Sequence, residues 1–490
     1  MTFHSLVLQR RPIKPSSLTI FLVFFSSLLF TSPSFQQNVP LGCYEYPDPT
    51  NRYHKIPVNC PIIESPTMGD DFFQLQENSD NNMFVIHFVC GAKNPTLCEK
   101  VKDTFEIAGS IISSTLTLNT PINVNASFID FCKTLGKCGN SDLVTLGGAT
   151  PTRMIPLQDD DGLVRLYPQS LVKQFRFPKH PQFSTFDITA TFNSAGGDYW
   201  FQGDPIIGPD QQDFLYVVLH ELVHGLGFAS SWQDYINDTP EALTPDISVI
   251  SSANSSTLIF NGFFESAFDK YMIDIPTGRR VSAITDQLNE FAGSGTKFSN
   301  IQEFYMRFKS SKQYQLALGM MNSSVTPLSL GFLPTGGTKS SDCIILETSL
   351  NPYQRGCSVS HVSLQTYNST CDFLMKYLAD RGKDLNTLVA SRGNYKSPIG
   401  PELLLFFNTL GYASPGYPNP YRPNVIITTN KFNPNVSKNV DPGLQKASTV
   451  SYATVTVTIT ANSAPTKIPE YTTMLLFIFF SSLLFSGVIT

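Results

Sequence analysis

A chain of 490 residues with 41% hydrophobic residues can bury a large catalytic domain with appendages. Charged residues make up only 15%, against roughly 25% in ordinary soluble chains, so the surface is expected to rely on Ser, Thr, Asn, Gln and glycans. A net charge of −5 with no long basic run excludes a nucleic-acid-binding surface as the main business of the chain.

The first element is a targeting signal. Arg10, Arg11 and Lys14 precede an apolar run over residues 18–30, and small and polar residues follow through Ser34. That order predicts a secretory signal peptide over residues 1–34. The apolar run is shorter than the roughly 20 residues a spanning helix needs. Residues 35–80 are Pro-rich and read as an irregular N-terminal segment or pro-region.

The pattern then changes, and residues 81–232 read as an N-terminal catalytic subdomain. A buried strand is predicted over Phe84–Cys90 and an amphipathic helix over 98–114, with Val101, Phe105, Ala108 and Ile112 at helical spacing. Further strands are predicted over 121–128 and 187–192. A helix over 212–225 is apolar on most sides, so it belongs in the interior. Residues 233–412 read as an insertion followed by a C-terminal catalytic subdomain, closing with a helix over Pro401–Leu410 that Gly411 ends. The fold class expected is α+β, with a mixed sheet, a central motif helix and a mixed C-terminal subdomain.

Residues 413–464 form a Pro-rich linker and a Ser/Thr-rich stalk. Small residues, a polar spacer and an apolar tail over 465–490 then follow the layout of a lipid-anchor signal, with Asn462 or Ser463 as the attachment residue. Nine cysteines suit an oxidising compartment. Their short spacings suggest Cys43 with Cys60, Cys90 with Cys98, and Cys132 with Cys138. The odd count leaves one thiol over among Cys343, Cys357 and Cys371, or an intermolecular pair. Glycosylation sequons occur at Asn125, Asn237, Asn254, Asn322, Asn368 and Asn435. Together these place the chain on the secretory route to the outer cell surface, held to the plasma membrane by lipid.

The chemistry lies in the 212–225 helix, which contains His220-Glu221-Leu-Val-His224. Two imidazoles four residues apart share one helix face and can grip one zinc ion. Zinc lowers the pKa of water to about 7, and Glu221 stands next to the ligands as the general base that takes the proton. Incidental histidines in a buried helix would carry the cost of polar groups without partners. Catalytic zinc takes three protein ligands. Gly227 extends the motif to His-Glu-x-x-His-x-x-Gly and lets the chain turn out of the helix. Most metzincins place a third His three residues later, where this chain has Ser230.

The remaining histidines of the mature chain are His54, His87, His180 and His361. His361 is followed by Leu374-Met375, a candidate for the methionine turn beneath the zinc. Glu265 competes, because Glu265-Ser-Ala-Phe-Asp269 has the Glu-x-x-x-Asp form of gluzincins. Gly227 and Met375 favour His361.

In these motifs the chain resembles leishmanolysin and its relatives. That family has His-Glu-x-x-His-x-x-Gly, a long insertion, a third His, a Leu-Met turn and a helix ending in Leu-Gly-aromatic. This sequence offers His220 to Phe228, then Ser360-His361, Leu374-Met375 and Asn408-Thr-Leu-Gly-Tyr412. The insertion before His361 is long, and the His-to-Met spacing exceeds that of the better-known members. The resemblance implies a zinc endopeptidase acting on extracellular proteins and peptides, with His220, His224 and His361 on the metal, Glu221 as base and Met375 beneath. The alternative is a catalytically inactive surface glycoprotein or adhesin that keeps the peptidase fold. An intact Glu221 favours the enzyme.

Overall fold

Strand Ile122–Ile129 alternates between interior and half-buried positions, so Ile122, Val124, Ala126 and Phe128 face one way into the core. It lies between Phe84–Cys90 and Ile188–Asn193, parallel to both, with Ala126 opposite Phe88 on one side and Ala190 on the other. Gly147–Pro151 closes the sheet, antiparallel to Ile188–Asn193. The first two strands are parallel because helix Pro95–Thr115 carries the chain back across the sheet. That helix starts before the expected residue 98. Asn94 caps it by accepting from the Thr96 and Leu97 amides, and Pro95 opens its first turn.

The computed structural model describes residues 42–51, 54–64, 82–138, 144–251, 257–393 and 395–425. The signal peptide, most of the stalk, Asn254, Asn435, the attachment residues Asn462 and Ser463, and the 465–490 tail lie outside the described residues. Among the described residues no helix is long and apolar enough to cross a membrane.

The motif helix, Phe214–Gly225, packs on the same sheet. Its start is set by Asp213, whose carboxylate accepts from the Leu215 amide at 2.8 Å. Residues 212 and 213 are instead a short strand beside Tyr199–Trp200, so the helix begins two residues after its expected start. Phe214 anchors it among Phe128, Phe192 and Tyr199, with ring centroids 4.9–5.7 Å apart. Phe214→Ala would cost roughly 3–5 kcal/mol. At the other end a Cβ on Gly225 would lie 2.5 Å from Ile188, so glycine permits the helix to sit directly on the sheet.

The insertion is built from a hairpin, Asp246–Ser251 with Leu258–Phe264, and the helices Ser282–Asn289, Ile301–Lys309 and Lys312–Ser324. Phe260, Phe263, Phe291, Phe304 and Phe308 bind these pieces through ring contacts of 5.1–6.2 Å. Helix Pro401–Leu410 falls where the sequence places it. The fold is α+β, as expected.

Two expectations are corrected. The N-terminal segment is not irregular throughout: Cys43–Glu45 pairs with Ile56–Val58 and with Arg153–Met154, while Ile62–Glu64 pairs with Lys179–Pro181. Three disulfides form at the expected pairs, Cys43–Cys60, Cys90–Cys98 and Cys132–Cys138. However, none of Cys343, Cys357 and Cys371 is in a disulfide, so three cysteines stay unbridged and not one. Each lies on a different loop of the C-terminal half, and proximity in sequence gives no guide to pairing there.

Candidate metal centre

His220 and His224 lie one turn apart on the motif helix, and His361 reaches them from a loop far along the chain. Their Nε2 atoms form a triangle. His220 to His224 is 3.1 Å, His220 to His361 is 3.2 Å and His224 to His361 is 3.3 Å. Among the described residues this is the one group of His, Cys, Asp and Glu whose ligand atoms converge as a metal would require.

The other ring nitrogens determine what the triangle is. Nδ1–H of His220 donates to the Leu374 carbonyl at 2.7 Å, that of His224 to the Phe228 carbonyl at 2.6 Å, and that of His361 to the Cys357 carbonyl at 3.0 Å. Carbonyl oxygens only accept, so each Nδ1 carries the proton and each Nε2 presents a lone pair. Burial pushes the His220 imidazolium down to about 4, which keeps the ring neutral near pH 7. Three facing lone pairs repel one another unless a cation sits among them. Tetrahedral zinc with nitrogens at 2.0–2.1 Å requires N···N edges of about 3.3 Å, which the triangle matches. The donor set therefore fits zinc.

The surrounding residues hold each histidine. Leu374 O also accepts from the Tyr216 hydroxyl at 3.1 Å, so one carbonyl ties the motif helix to the turn before Met375. Met375 is buried, and its carbonyl accepts from the Val362 amide at 3.0 Å, next to His361. Gly227 has φ +114°, a conformation that side chains disfavour, and a Cβ there would meet Pro168 at 3.1 Å. The turn it makes brings the Phe228 carbonyl back onto His224. Tyr412 donates to the Leu226 carbonyl at 3.0 Å and fixes the helix end from behind. Glu221 lies on the same helix with its side chain enclosed. His220, His224 and His361 are likewise at most 1% exposed. Burial and the nearby Glu221 carboxylate push the Tyr199 phenol up.

The other sequence candidates lie elsewhere. Glu265 is not part of the histidine cluster. Its carboxylate accepts from Arg165 Nε at 2.9 Å, from Ser282 at 2.8 Å and from Thr285, inside a buried network that also holds Asp159. Ser230 donates to Asp269 at 2.6 Å. Asp269 also accepts from Ser231 and Ser266, so it fixes the chain leaving the motif helix. The Glu-x-x-x-Asp spacing is thus two structural carboxylates. His87 is on the exposed side of its strand beside Phe186, and His180 stacks on Phe183 at 4.3 Å. Of the sequons, Asn322 and Asn368 are exposed and Asn125 is half-buried in the central strand. The amide nitrogen of Asn237, where a glycan would attach, donates to Asp234 at 2.9 Å.

Sequence reasoning missed Glu347. Its amide donates to the His361 carbonyl at 2.8 Å and its carbonyl accepts from Val359 at 2.8 Å. Its carboxylate accepts from the Leu364 amide at 2.9 Å and from Ser349. A lone Glu in a loop carries no signal by itself. Val359, at φ +66°, is a β-branched residue in the left-handed region, a strained placement next to the third His.

A profile of the SPBPB7E8-like family matches residues 67–444. The chain belongs to the SPBPB7E8-like family. The match takes in the whole histidine cluster, Glu221, Met375 and Glu347. An uncharacterized protein of Schizosaccharomyces pombe, PB7E8.01, is 30% identical over 372 residues, covering 69% of this chain. The aligned part is 64% of that relative, so the chain spans just under two thirds of its length. No solved structure matches.

Proposed function

We propose that this protein is a zinc-dependent endopeptidase of leishmanolysin-like, metzincin type. The observation that carries the reading is the triangle of three Nε2 lone pairs, each aimed by a carbonyl on the far side of its ring. His220, His224 and His361 would hold the ion. A zinc ion, when bound, supplies an acidified water and a polarised carbonyl. Glu221, beside His220 on the helix, takes the proton and passes it to the departing amine of the peptide. Tyr216, through Leu374 O, keeps the His220 ring from rotating while charge shifts. Three histidine ligands would be the protein complement of a catalytic zinc, which also takes a water. Substrates are extracellular proteins or peptides, on the strength of the terminal signals and the disulfides. The outer cell surface, reached by secretion and held by lipid attachment, is the proposed location.

One observation favours the second reading, an inactive surface glycoprotein or adhesin. All four side chains of the site, His220, Glu221, His224 and His361, are at most 1% exposed, so none of them faces a bulky substrate. A peptide reaches Glu221 only when the surrounding walls part. One experiment separates the two. The protein purified from the secretory route should carry about one zinc per chain and cleave casein or a quenched peptide. Activity should vanish in chelator and in Glu221→Ala, while zinc content in Glu221→Ala stays unchanged. Full zinc with no cleavage in the unaltered protein would leave the scaffold standing.

A further inference from the structure

The sheet beneath the motif helix is covered unevenly. Helix Pro95–Thr115 and the motif helix lie on its inner face, where Ile86 and Phe88 join the core. On the outer face, the half over Ile188–Asn193 is closed. Thr189 and Thr191 are each 7% exposed there, and the Thr189 hydroxyl meets that of Thr152 at 2.8 Å. The half over Phe84–Cys90 is open. Val85 is 43% exposed and Val89 62%, with His87 exposed between them and the Phe186 ring 5.1 Å from it.

This opening runs against the strand order. Phe84–Cys90, Ile122–Ile129 and Ile188–Asn193 are parallel, and parallel strands are ordinarily covered on both faces. Phe84–Cys90 is also the edge of its sheet, and an edge strand with exposed valines invites pairing with a second chain. A cover for this half must shield the valines below and present polar groups above.

Asn125 stands where the closed half gives way to the open one. It lies opposite Thr189 on one side and opposite His87 on the other. Alternation along its strand sends Ala126 inward and Asn125 outward. Asn125-Ala126-Ser127 is a glycosylation sequon, and the Ser127 hydroxyl on the same face donates to Thr191 at 3.0 Å. The attachment nitrogen separates Asn125 from Asn237. That of Asn237 is engaged with Asp234, whereas among the described residues no hydrogen bond holds the Asn125 amide. Strands lie about 4.8 Å apart and rise about 3.3 Å per residue, so Val85 and Val89 are each roughly 8 Å from Asn125. The first sugars of a glycan on Asn125 Nδ2 reach that far. Their C–H faces can lie on the valines, taking apolar surface out of water, while their hydroxyls stay hydrated. The His87 ring nitrogens are within the same span as partners for sugar hydroxyls.

We propose that Asn125 carries an N-linked glycan that covers the outer sheet face over Val85, His87 and Val89. This rests on the secretory reading and is independent of zinc and of peptidase activity. The test uses the full-length chain secreted by a eukaryotic host. Glycopeptide mass spectrometry should find Asn125 occupied. A bare Asn125 beside an occupied Asn322 overturns the proposal alone, and bare sequons throughout overturn the secretory reading with it. Asn125→Gln should raise binding of an apolar dye about twofold and promote self-association in gel filtration, while Asn322→Gln changes neither. Adding Val85→Thr and Val89→Thr to Asn125→Gln should bring both readings back to those of the unaltered protein, because Thr keeps the strand preference without the apolar stripe. Should Asn125→Gln fail to leave the cell, a peptide N-glycosidase acting on the folded, Asn322→Gln protein supplies the same comparison. Dye binding and association that do not change on loss of the Asn125 glycan overturn the proposal. A glycosylated protein that dimerises, and that Val89→Asp makes monomeric, would show that a second copy is the cover and would overturn it as well.

Discussion

Glu347 holds His361 by the backbone in both directions: its amide donates to the His361 carbonyl at 2.8 Å, and its own carbonyl accepts from Val359 two residues before the ligand. The third histidine stands on a loop, so this bracing does for His361 what the helix does for the other two. Carboxylate bonds to Leu364 and Ser349 fix the Glu347 side of that frame. Glu347→Ala is expected to weaken zinc affinity by about 10-fold or more, with all three ligands and Glu221 intact. Competition against a chelator of known affinity reads this, and affinity equal to that of the unaltered protein would show that the loop holds itself.

His361 and Glu265 separate cleanly by what their loss affects. His361→Ala should abolish stoichiometric zinc. Glu265→Ala should keep the zinc but lower stability by about 3 kcal/mol, because it strips a partner from the buried Arg165 guanidinium. Metal analysis and urea unfolding on the two variants decide it, and zinc lost from Glu265→Ala but retained in His361→Ala would reverse the assignment of the third ligand.

Gly227→Ala adds a Cβ at φ +114° and presses it towards Pro168. A cost of about 2 kcal/mol is expected in chemical unfolding. Because the same turn delivers the Phe228 carbonyl to His224, zinc affinity should fall alongside stability. A stable variant with unaltered affinity would show that the turn forms without glycine.

Asp213 caps the motif helix and also accepts from the Leu385 amide at 2.7 Å. Burial, aided by the Asp384 charge, pushes its carboxyl up from 3.8 to about 6. A carboxyl whose folded pKa is raised binds its proton more tightly when folded. Its contribution to stability is therefore fully present below about pH 4 and is lost as pH rises through about 6. Asp213→Asn should remove that falling limb from the stability profile between pH 4 and 6, whatever it does to absolute stability. Parallel profiles for the two proteins would count against it.

Much of the core was readable because it rests on local repetition. Phe84–Cys90 and Pro401–Leu410 fall at their expected limits, since an apolar run and a Pro-to-Gly span each mark their own ends. The motif helix start shifted because a strand pairing with Tyr199–Trp200, outside the helix's own repeat, claims Gln212 and Asp213. The insertion was opaque for a related reason. Its phenylalanines are spread over residues 260–308 and meet only through packing between separate pieces.

By itself the sequence determined that His220, Glu221 and His224 share one buried helix, with the two imidazoles on one face, and that a glycine follows at 227. A helix repeats every 3.6 residues, so neighbours on its face are written in the spacing. Only the tertiary structure brought His361, and not Glu265, to the other two histidines, turned each Nδ1 to a carbonyl, and placed Glu347 behind His361. His361 meets His224 and His220 across 137 and 141 positions, and the contacts that hold the rings run through backbone carbonyls that every residue possesses and no sequence pattern marks.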